Sequence, residues 1–321
     1  MNLIDIKSTY DHPLVNRIIK NYKHFKKQAK KTESDCFRIY DSDIPEFQLS
    51  VDYYAGRFLV QYYSKEDAEK VPEEIKNALE TGLKTIFEIN DNDIFWKVRK
   101  KRALLEQYEK LSDSKDYFIG KENEISFYIN LKDYLDSGLF LDHRPVRELI
   151  AKHAEGKYVL NLYSYTASFS LYCAKAGSSG TVSVDMSNTY SDWAKDNMIL
   201  NGFDLNKNIV VREDCAKYLN QACDRHEKYD IIIIDPPTIS RSKKMDEMFD
   251  VNEDHGKLIL QASKLLKGEE SMIMFSTNSR KFKMDEDLNS SFIIEDISNK
   301  TIPDGFRDRK IHKVYTIKLK K

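Results

Sequence analysis

The residues best suited to chemistry in this sequence follow a run of four isoleucines. Ile231–Ile234 is too short for a helix and is typical of a strand buried on both faces of a parallel sheet. Asp235, Pro236, Pro237 and Thr238 come directly after it, where ligands of open α/β sheets bind. Because each proline fixes its φ angle and lacks an N–H, the turn is stiff and offers a carboxylate and carbonyl oxygens. By itself, the motif fits a rigid strand exit without chemistry equally well.

Two further predicted strands also end in acidic residues. Asp185 follows the strand predicted at 181–184, roughly 20 residues after the first strand, which is the spacing of a carboxylate that binds ribose hydroxyls. Asp214 follows the strand predicted at 209–211 and is placed to accept a hydrogen bond from an adenine amino group, although a helix N-cap explains it at least as well. With Asp235, these strand ends predict an adenosine-like ligand, and Met186 and Cys215 are expected beside it.

The loop after the first predicted strand, residues 161–169, contains no glycine. This argues against NAD and FAD, because their pyrophosphate needs glycines for a close approach to the backbone. S-adenosylmethionine carries no phosphate, and small residues would let it lie against the backbone. The loop therefore favours S-adenosylmethionine, with contacts assigned to Asn161, Tyr163, Ser164, Thr166 and Ala167.

A further candidate segment lies upstream of this loop. Phe140 is placed to cover an adenine or a sulfonium, and Arg144 to pair with a carboxylate through two parallel hydrogen bonds. Asp142 lies between them and is assigned to the same cofactor site. From the residues alone, an interdomain hinge with a buried Phe140 and a helix-capping Asp142 is the better interpretation.

Composition limits the class of protein. The chain has 321 residues, 41% hydrophobic and 32% charged, with a net charge of −1, which suits a globular protein of two domains. No apolar run approaches the ~20 residues that span a bilayer, and the polar start is unlike a signal peptide. Four scattered cysteines without metal-ligand spacing predict a reducing, cytoplasmic setting and no metal site.

Positive charge is concentrated in three clusters beside aromatic residues, which is typical of surfaces that bind RNA or DNA. A solvated helix face explains any single cluster equally well. The first cluster lies within residues 7–31. The others, to which RNA binding is assigned together with Asn278, are Lys97, Arg99, Lys100, Lys101 and Arg102, and Arg241, Lys243 and Lys244.

The chain shows two successive patterns. Residues 1–132 predict a small α+β domain with a basic helix over 1–32, short strands, and a helix over 65–87 that Gly82 could interrupt. From residue 159, apolar strands alternate with helical stretches, including one at 188–200 and one at 252–266. This rhythm predicts an α/β domain, 133–321, with a doubly wound, mostly parallel sheet and a late antiparallel edge.

With these residues assembled, the chain resembles a known family, the guanine-N7 methyltransferase (RlmK) half of the bacterial bifunctional 23S rRNA methyltransferases. The matching stretches are specific and run nearly end to end: 36–46, 133–144, 161–166, 184–190, 234–238, 243–246, 249–251 and 308–312. The resemblance implies a class I, Rossmann-like methyltransferase domain behind an RNA-binding domain. It also implies S-adenosylmethionine as cofactor and a guanine of large-subunit rRNA as substrate.

Two departures from the family pattern affect these expectations. Ala167 stands where the family usually has glycine, which narrows the cofactor loop. The family's other half, with its own RNA-binding module, has no counterpart in this sequence. We therefore expect the chain to find ribosomal RNA, naked or in a precursor particle, alone or with a separate partner protein.

The residues after the fourth strand of the α/β domain separate the possible methyl acceptors. Methylation of cytosine C5 needs a thiolate, and no cysteine follows Pro236 or the strand predicted at 272–275. Adenine N6 enzymes place an aromatic residue after the prolines, where this chain has Thr238. Guanine N7 carries its own lone pair and needs only placement, so Asp235 and the Pro236 carbonyl are expected to bind the donor edge of the base.

The remaining contacts to the base are predicted from position. Thr238 and Asn278 are expected to line the base pocket, and one of Phe140, Phe249 or Phe282 to stack on a base that leaves its helix or loop. Methylation of guanine N2 or cytosine C5 stays open as an alternative. So does a non-catalytic RNA-binding or ribosome-assembly protein on the same fold.

Overall fold

The computed structural model describes residues 1–6, 9–63, 70–99, 111–240 and 248–320. They form two compact units: unit 1 comprises residues 1–141 and 303–308, and unit 2 comprises residues 142–302 and 309 onward. Residues 133–141, which the sequence predicts in the second domain, belong to unit 1.

Unit 1 is built on a four-stranded sheet. In spatial order, its strands are β1 (Cys36–Asp41), β2 (Leu49–Tyr54), β3 (Arg57–Tyr63) and β4 (Ile94–Arg99). The pairs are antiparallel except β3–β4, which is parallel. A separate hairpin of β5 (Phe118–Glu122) and β6 (Ile125–Ile129) follows. The short strands predicted for residues 1–132 are therefore present.

Two helices, α1 (Pro13–Lys31) and α2 (Glu73–Phe87), share one apolar core with this sheet. The helix predicted over 1–32 begins only at Pro13, because proline suits the first helical turn and the preceding His12 has extended backbone. The helix predicted from residue 65 begins at Glu73. Residues 70–72 are not helical, and residues 64–69 lie outside the described part of the chain.

Gly82 lies within α2 and does not interrupt it. The residue is buried where α1 and α2 meet, and a Cβ built on it would lie 2.5 Å from Cγ2 of Val15. Val15 is fully buried and β-branched, so its methyl groups have little freedom to move aside. Glycine at this position therefore serves the close packing of two helices rather than flexibility.

Unit 2 contains a seven-stranded sheet. In spatial order, its strands are β14 (Phe292–Asp296), β15 (Lys313–Leu319), β13 (Met272–Thr277), β10 (Ile231–Ile234), β7 (Tyr158–Leu162), β8 (Gly180–Asp185) and β9 (Asn208–Arg212). The last five run parallel, and β14 and β15 form an antiparallel edge. The predicted doubly wound, mostly parallel α/β sheet is confirmed.

The strand order reverses at β7. Its neighbour on one side is β8, the next strand along the chain, and on the other side it is β10, which comes much later. The loops that follow β7 and β10 therefore leave the sheet next to each other, at the kind of switch point where ligands of α/β proteins bind.

The isoleucines of β10 fill two cores. Ile231 and Ile233 belong to the cluster on one face of the sheet, and Ile232 and Ile234 to the cluster on the other. All four are buried, as predicted for a central parallel strand. The turn that follows them is thus attached to a strand that is fixed from both sides.

In the described part of unit 2, α3 (Arg144–Ala151) precedes the first strand of the sheet, and later helices follow β7, β8, β9 and β12 (Phe249–Asp250): α4 (Ser168–Lys175), α5 (Asn188–Leu200), α6 (Cys215–Asp224) and α7 (Val251–Ser263). The predicted bounds of α5 are confirmed, whereas α7 ends before residue 266. Residues 265–267 instead pair with Tyr229, whose N–H donates to the Leu265 carbonyl and whose carbonyl accepts from Lys267. A short ladder of β11 (Ile239–Ser240) and β12 (Phe249–Asp250) precedes α7.

Among the described residues, no helix combines the length and the apolar character needed to cross a membrane.

Gly82→Ala tests the packing between α1 and α2. Alanine favours a helix, but its methyl group would overlap Val15, so we expect a loss of about 1–3 kcal/mol in the free energy of unfolding. Urea denaturation followed by circular dichroism measures it. Thr81→Ala, at the exposed neighbouring position, is the control and should not destabilise the protein. Equal stability of Gly82→Ala and the control would contradict the packing argument.

Candidate active site

The site is assembled at the carboxyl edge of the parallel strands in unit 2. Because β10, β7, β8 and β9 run parallel in neighbouring positions, the loops that follow them emerge at one edge. Those loops carry the predicted residues Asp235, Tyr163, Asp185 and Asp214. The sheet therefore brings together chain segments that are far apart in sequence.

The loop after β7 has an unusual backbone for residues other than glycine. Tyr163, Tyr165 and Ala167 have φ angles of 54°, 51° and 63°, in the left-handed region that side chains disfavour. Hydrogen bonds hold this shape, including one from the Ser164 N–H to the Val184 carbonyl at 3.0 Å and one from the Ala167 N–H to the Ser164 carbonyl at 2.8 Å. Strain that is held in this way is typical of ligand sites.

Asp185 joins the loops that follow β7 and β8. Its carboxylate accepts hydrogen bonds from the backbone N–H of Tyr165 at 3.0 Å and of Ser187 at 2.9 Å. Burial raises the pKa of Asp185 to about 6, although both N–H donors favour the ionised form. Met186 lies between these partners and is half-buried. Asp185 is thus held in place, as its predicted role in binding ribose hydroxyls requires.

Polar atoms at this edge include some that the protein itself leaves unsatisfied. Asn161 donates through Nδ2 to the Ser170 hydroxyl at 3.0 Å, but its Oδ1 is buried without a partner in the described structure. The buried Ser164 hydroxyl also lacks one there. The carbonyl of Thr166 accepts a hydrogen bond from Asn197 at 3.1 Å. Unsatisfied buried polar groups next to a strained loop fit a polar ligand without phosphate, such as S-adenosylmethionine.

Asp214 and Cys215 begin α6. The Asp214 side chain accepts a hydrogen bond from the Lys217 N–H at 2.9 Å, so the alternative of a helix cap is realised. The Cys215 sulfur accepts the Tyr163 N–H at 3.2 Å and lies 3.7 Å from the Val184 carbonyl oxygen. Burial raises the pKa of Cys215 well above its usual value, so this cysteine is a neutral thiol that braces the loop.

Asp235 is held by groups from two other segments. The Ser276 hydroxyl at the end of β13 donates to Asp235 Oδ1 at 2.5 Å, and Nε2 of His143 lies 3.6 Å from the same oxygen. The Asp235 side chain is 21% exposed, so it is both fixed and accessible. In the turn that follows, Pro236 is buried and Pro237 half-buried, and the Thr238 carbonyl accepts the Val251 N–H at 3.0 Å.

Asp142 occupies a different environment from the predicted one. It is buried, and its Oδ2 lies 3.0 Å from Nδ1 of His143 and 3.3 Å from Nδ1 of His312. His312 is held in turn by the Thr301 hydroxyl, 3.1 Å from its Nε2. The assignment of Asp142 to cofactor binding is therefore corrected, because its carboxylate is occupied by two histidines. Arg144 is half-buried at the start of α3.

The charges in this cluster shift one another's protonation. For His143, burial opposes a charge, but the carboxylates of Asp142 and Asp235 outweigh it and raise the pKa to about 10. Burial by itself would raise the pKa of both carboxylates. The neighbouring His143 outweighs burial, so the pKa of Asp142 lies well below its usual value and the pKa of Asp235 lies below its usual value. These shifts favour a charged His143 between the ionised carboxylates of Asp142 and Asp235.

Atoms of Asp142, His143 and His312 lie within 4.8 Å of one another, close enough to surround a metal ion. They already face one another in the ion pairs and hydrogen bonds given above. We therefore assign them to a charge network rather than to a metal centre. Sequence reasoning missed both histidines; the available signals were that His143 stands inside the 133–144 motif and His312 inside the 308–312 motif.

Most of the cations assigned to RNA binding have other roles or lie outside the described residues. Lys97 is buried, and its ammonium group donates to the carbonyls of Tyr134 at 2.7 Å and Leu135 at 3.0 Å. Burial lowers the pKa of Lys97 to about 7, so its assignment to RNA binding is corrected. Arg99 binds the Gln61 side chain at 2.7 Å. Asn278 is exposed after β13, whereas Lys100, Lys101, Arg102, Arg241, Lys243 and Lys244 lie outside the described residues.

The three aromatic candidates for base stacking also differ. Phe282 is fully buried among Phe275, His255 and Tyr315, so the prediction that it could stack on a base is wrong. Phe249 is half-buried on β12, with its ring centroid 6.0 Å from that of Tyr163. Phe140, in unit 1, is 38% exposed.

Comparison with known proteins agrees with this geometry. A family model described as S-adenosylmethionine-dependent methyltransferase matches residues 41–279. "Ribosomal RNA large subunit methyltransferase K" of Neisseria meningitidis serogroup B is 40% identical over 96% of this chain and 87% of its own length. "Ribosomal RNA large subunit methyltransferase K/L" of Psychromonas ingrahamii is 41% identical over 96% of this chain. The chain spans only 41% of the length of that K/L relative.

A solved structure that resembles this chain is also described as a methyltransferase. SMU.776, described as a methyltransferase and solved in complex with SAH, has a TM-score of 0.73 and 26% identity. The alignment covers 97% of this chain and 83% of that one. S-adenosylmethionine is accordingly the cofactor, and the loops after β7, β8 and β9 present residues that fit it. The chain belongs to the S-adenosylmethionine-dependent methyltransferase family, among the relatives named ribosomal RNA large subunit methyltransferase K and K/L.

Proposed function

We propose that the protein methylates large-subunit (23S) ribosomal RNA at N7 of a guanine. The observation that supports the substrate most is the relative named ribosomal RNA large subunit methyltransferase K, which is similar along 96% of this chain. S-adenosylmethionine supplies a methyl group on a sulfonium. The protein has to hold the base so that its acceptor atom lies in line with that methyl group, about 3 Å away.

In this proposal, Asp235 selects guanine. Guanine carries N–H donors on the edge opposite N7, and an ionised carboxylate accepts them. Asp235 is kept ionised by His143, and its Oδ1 is fixed by Ser276, so the carboxylate is ready before the base arrives. The Pro236 carbonyl accepts a further donor, and the stiff turn through Pro237 and Thr238 fixes both acceptors. Asn278, exposed after β13, lines the same pocket.

The same carboxylate assists the transfer electrostatically. Methylation at N7 leaves the guanine ring positively charged, and an anion at the donor edge stabilises that charge as it develops. No residue has to remove a proton, because N7 carries an in-plane lone pair. A cytosine acceptor at C5 would instead need a thiolate, and the cysteine nearest the site, Cys215, is a buried neutral thiol.

Cofactor contacts in this proposal follow the loops. Asp185 accepts the ribose hydroxyls, Asp214 and the start of α6 at Cys215 meet the adenine, and Met186 lies beside it. Residues of the first loop, Asn161, Tyr163, Ser164, Thr166 and Ala167, bind the amino acid end, with Arg144 as partner of its carboxylate. Phe140 belongs to unit 1, and its contact with the adenine or sulfonium stays a prediction from the sequence.

Helix α1 in unit 1 offers a surface for the RNA backbone. Its 19 residues contain no acidic side chain. Five lysines are exposed outside the buried apolar stripe, the first four of them three or four residues apart: Lys20, Lys23, Lys27, Lys30 and Lys31. Among the described residues, none of these ammonium groups pairs with a carboxylate. So much unpaired like charge on one face repels itself, which favours a polyanionic partner.

The K/L relatives are more than twice as long as the aligned region, and we keep a separate partner protein as part of the proposal. Adding such a protein to the reaction would raise the rate on naked rRNA. The assays below therefore use both naked rRNA and precursor particles.

Asp235→Ala should abolish methyl transfer. We expect mass spectrometry of nucleosides from rRNA incubated with the wild-type protein and S-adenosylmethionine to show N7-methylguanosine. The variant should lose at least about a hundredfold in rate while binding the cofactor nearly as well, because the carboxylate acts on the base. Appearance of N2-methylguanosine or 5-methylcytidine instead would contradict the assigned acceptor. Cofactor binding without any methylation on both substrates would favour the non-catalytic alternative.

Cofactor affinity should fall in mildly acidic solution because of Asp185. Its pKa is raised to about 6, so the ionised form that accepts ribose hydroxyls is complete above that pH and is lost below it. We expect the dissociation constant of S-adenosylmethionine to rise about fourfold between pH 7.5 and 5.5 in isothermal titration calorimetry. Asp185→Asn should bind weakly and without this pH dependence. Asp214→Asn is the control and should keep the pH dependence of cofactor affinity. Loss of that pH dependence in Asp214→Asn would refute the role of Asp185.

The lysine face of α1 should set the salt dependence of RNA binding. Replacing Lys20, Lys23 and Lys27 by Gln should lower the slope of log affinity against log salt by about two. The matched control replaces three exposed lysines that precede strands at the opposite edge of unit 2, Lys152, Lys207 and Lys264. Filter binding of rRNA fragments measures both slopes. Equal slopes in the two triple variants would remove α1 from the interface.

A further inference from the structure

We propose that His143 is a buried imidazolium that positions the Asp235 carboxylate for the methyl acceptor. It is a positioning residue, since it acts through Asp235 rather than on the base. Only the catalytic consequence of this inference rests on the proposed function, because the protonation of His143 can be measured without RNA.

Geometry places His143 between two carboxylates. Nδ1 lies 3.0 Å from Asp142 Oδ2, and Nε2 lies 3.6 Å from Asp235 Oδ1. The ring is nearly excluded from solvent, and the edge of Phe169 packs against it at 6.0 Å between centroids. A neutral imidazole would leave two partly desolvated anions close together with no cation between them, which is costly. The proton on His143 resolves this conflict.

Charge, rather than aligned hydrogen bonds, attracts His143 to the carboxylates of Asp142 and Asp235. Neither of its ring nitrogens makes a well-directed hydrogen bond in the described structure, in spite of the short distance to Asp142. A cation of this kind attracts the Asp235 carboxylate without taking up one particular lone pair of its oxygens. The Ser276 hydroxyl provides the directed contact, and it reaches the same oxygen, Oδ1.

The contacts of His143 and Ser276 decide which oxygen of Asp235 is presented to the base. Both His143 and Ser276 contact Oδ1 of Asp235, and we assign the other carboxylate oxygen, Oδ2, to the base. Oδ2 then accepts one guanine donor, and the remaining lone pair of Oδ1 is available to a second. Without His143, only the Ser276 hydroxyl would hold the carboxylate, and its orientation would be less restricted.

The titratable groups that face His143 come from three segments: Asp142 from its own turn, Asp235 from the end of β10, and His312 from the segment before β15, whose ring centroid lies 4.9 Å away. The pKa of His143 is raised from 6.5 to about 10. The stabilisation from its charge is therefore complete below about pH 6.5 and is lost as pH rises through about 10.

Nuclear magnetic resonance of the histidine rings tests the protonation directly. In the full chain labelled with ¹⁵N, the His143 signals are assigned by their loss in His143→Gln. We expect both ring nitrogens to be protonated at pH 7.5, and Asp235→Asn and Asp142→Asn each to shift the titration to lower pH. A control, His255→Gln, removes another buried histidine that contacts Val251 and Asp285 and should leave the His143 titration unchanged.

Kinetics on rRNA test the positioning role. His143→Gln should lower kcat about tenfold or more, change the cofactor dissociation constant less than twofold, and move the acidic limb of the kcat profile to higher pH, because Asp235 loses its cation. Asp142→Asn should move the alkaline limb of the kcat profile to lower pH, because His143 loses a neighbouring anion and its pKa falls. A merely structural role would lower thermal stability and activity together without moving either limb.

Three results would overturn the proposal: a neutral His143 ring at pH 7.5, an unchanged kcat profile in both variants, or one equivalent of divalent metal bound by the purified protein and released in His143→Gln. The first and third need no RNA. They therefore separate failure of this inference from failure of the proposed function.

Discussion

The carboxyl edge of the unit 2 sheet depends on one electrostatic constraint: a single buried imidazole lies between two carboxylates. Asp142 and Asp235 are brought there by a turn before α3 and by the central strand β10, and neither has solvent enough to disperse its charge. His143 and the Ser276 hydroxyl compensate, and His312 with Thr301 anchors the far side. Everything proposed for the methyl acceptor requires this arrangement, because it decides how the Asp235 carboxylate is presented.

A second constraint concerns the backbone. The loop at the switch point between β7 and β10 adopts a left-handed backbone at three residues without any glycine. Asp185 and Cys215 accept the N–H groups of two of these residues, and the Val184 carbonyl accepts the N–H of Ser164 between them. The cofactor side of the site is therefore fixed mainly by main-chain interactions, whereas the acceptor side is fixed by side-chain charge. In the proposed function, this separation lets one sheet bind a common cofactor on one side and select the base on the other.

The sequence predicted what periodicity and strand ends can reveal. The parallel strands, the antiparallel edge and the aspartates after β8, β9 and β10 follow from local apolar runs and their exits. It did not predict the partnership of Asp142 with His312, because 170 residues separate them and only the fold brings them together. Nor could charge alone show that Lys97 is buried, or that Gly82 is required by Val15 rather than by a break in the helix. Long-range packing decides each of these cases.

The most direct test of the account is chemical cleavage of methylated RNA. Guanosine methylated at N7 is opened by borohydride, and aniline then breaks the strand at that nucleotide, whereas methylation at N2 or at cytosine C5 leaves the strand intact. We predict that large-subunit rRNA incubated with the protein and S-adenosylmethionine acquires a specific cleavage site at a guanine. Incorporation of labelled methyl groups without any new cleavage would contradict the assignment of N7 as the acceptor.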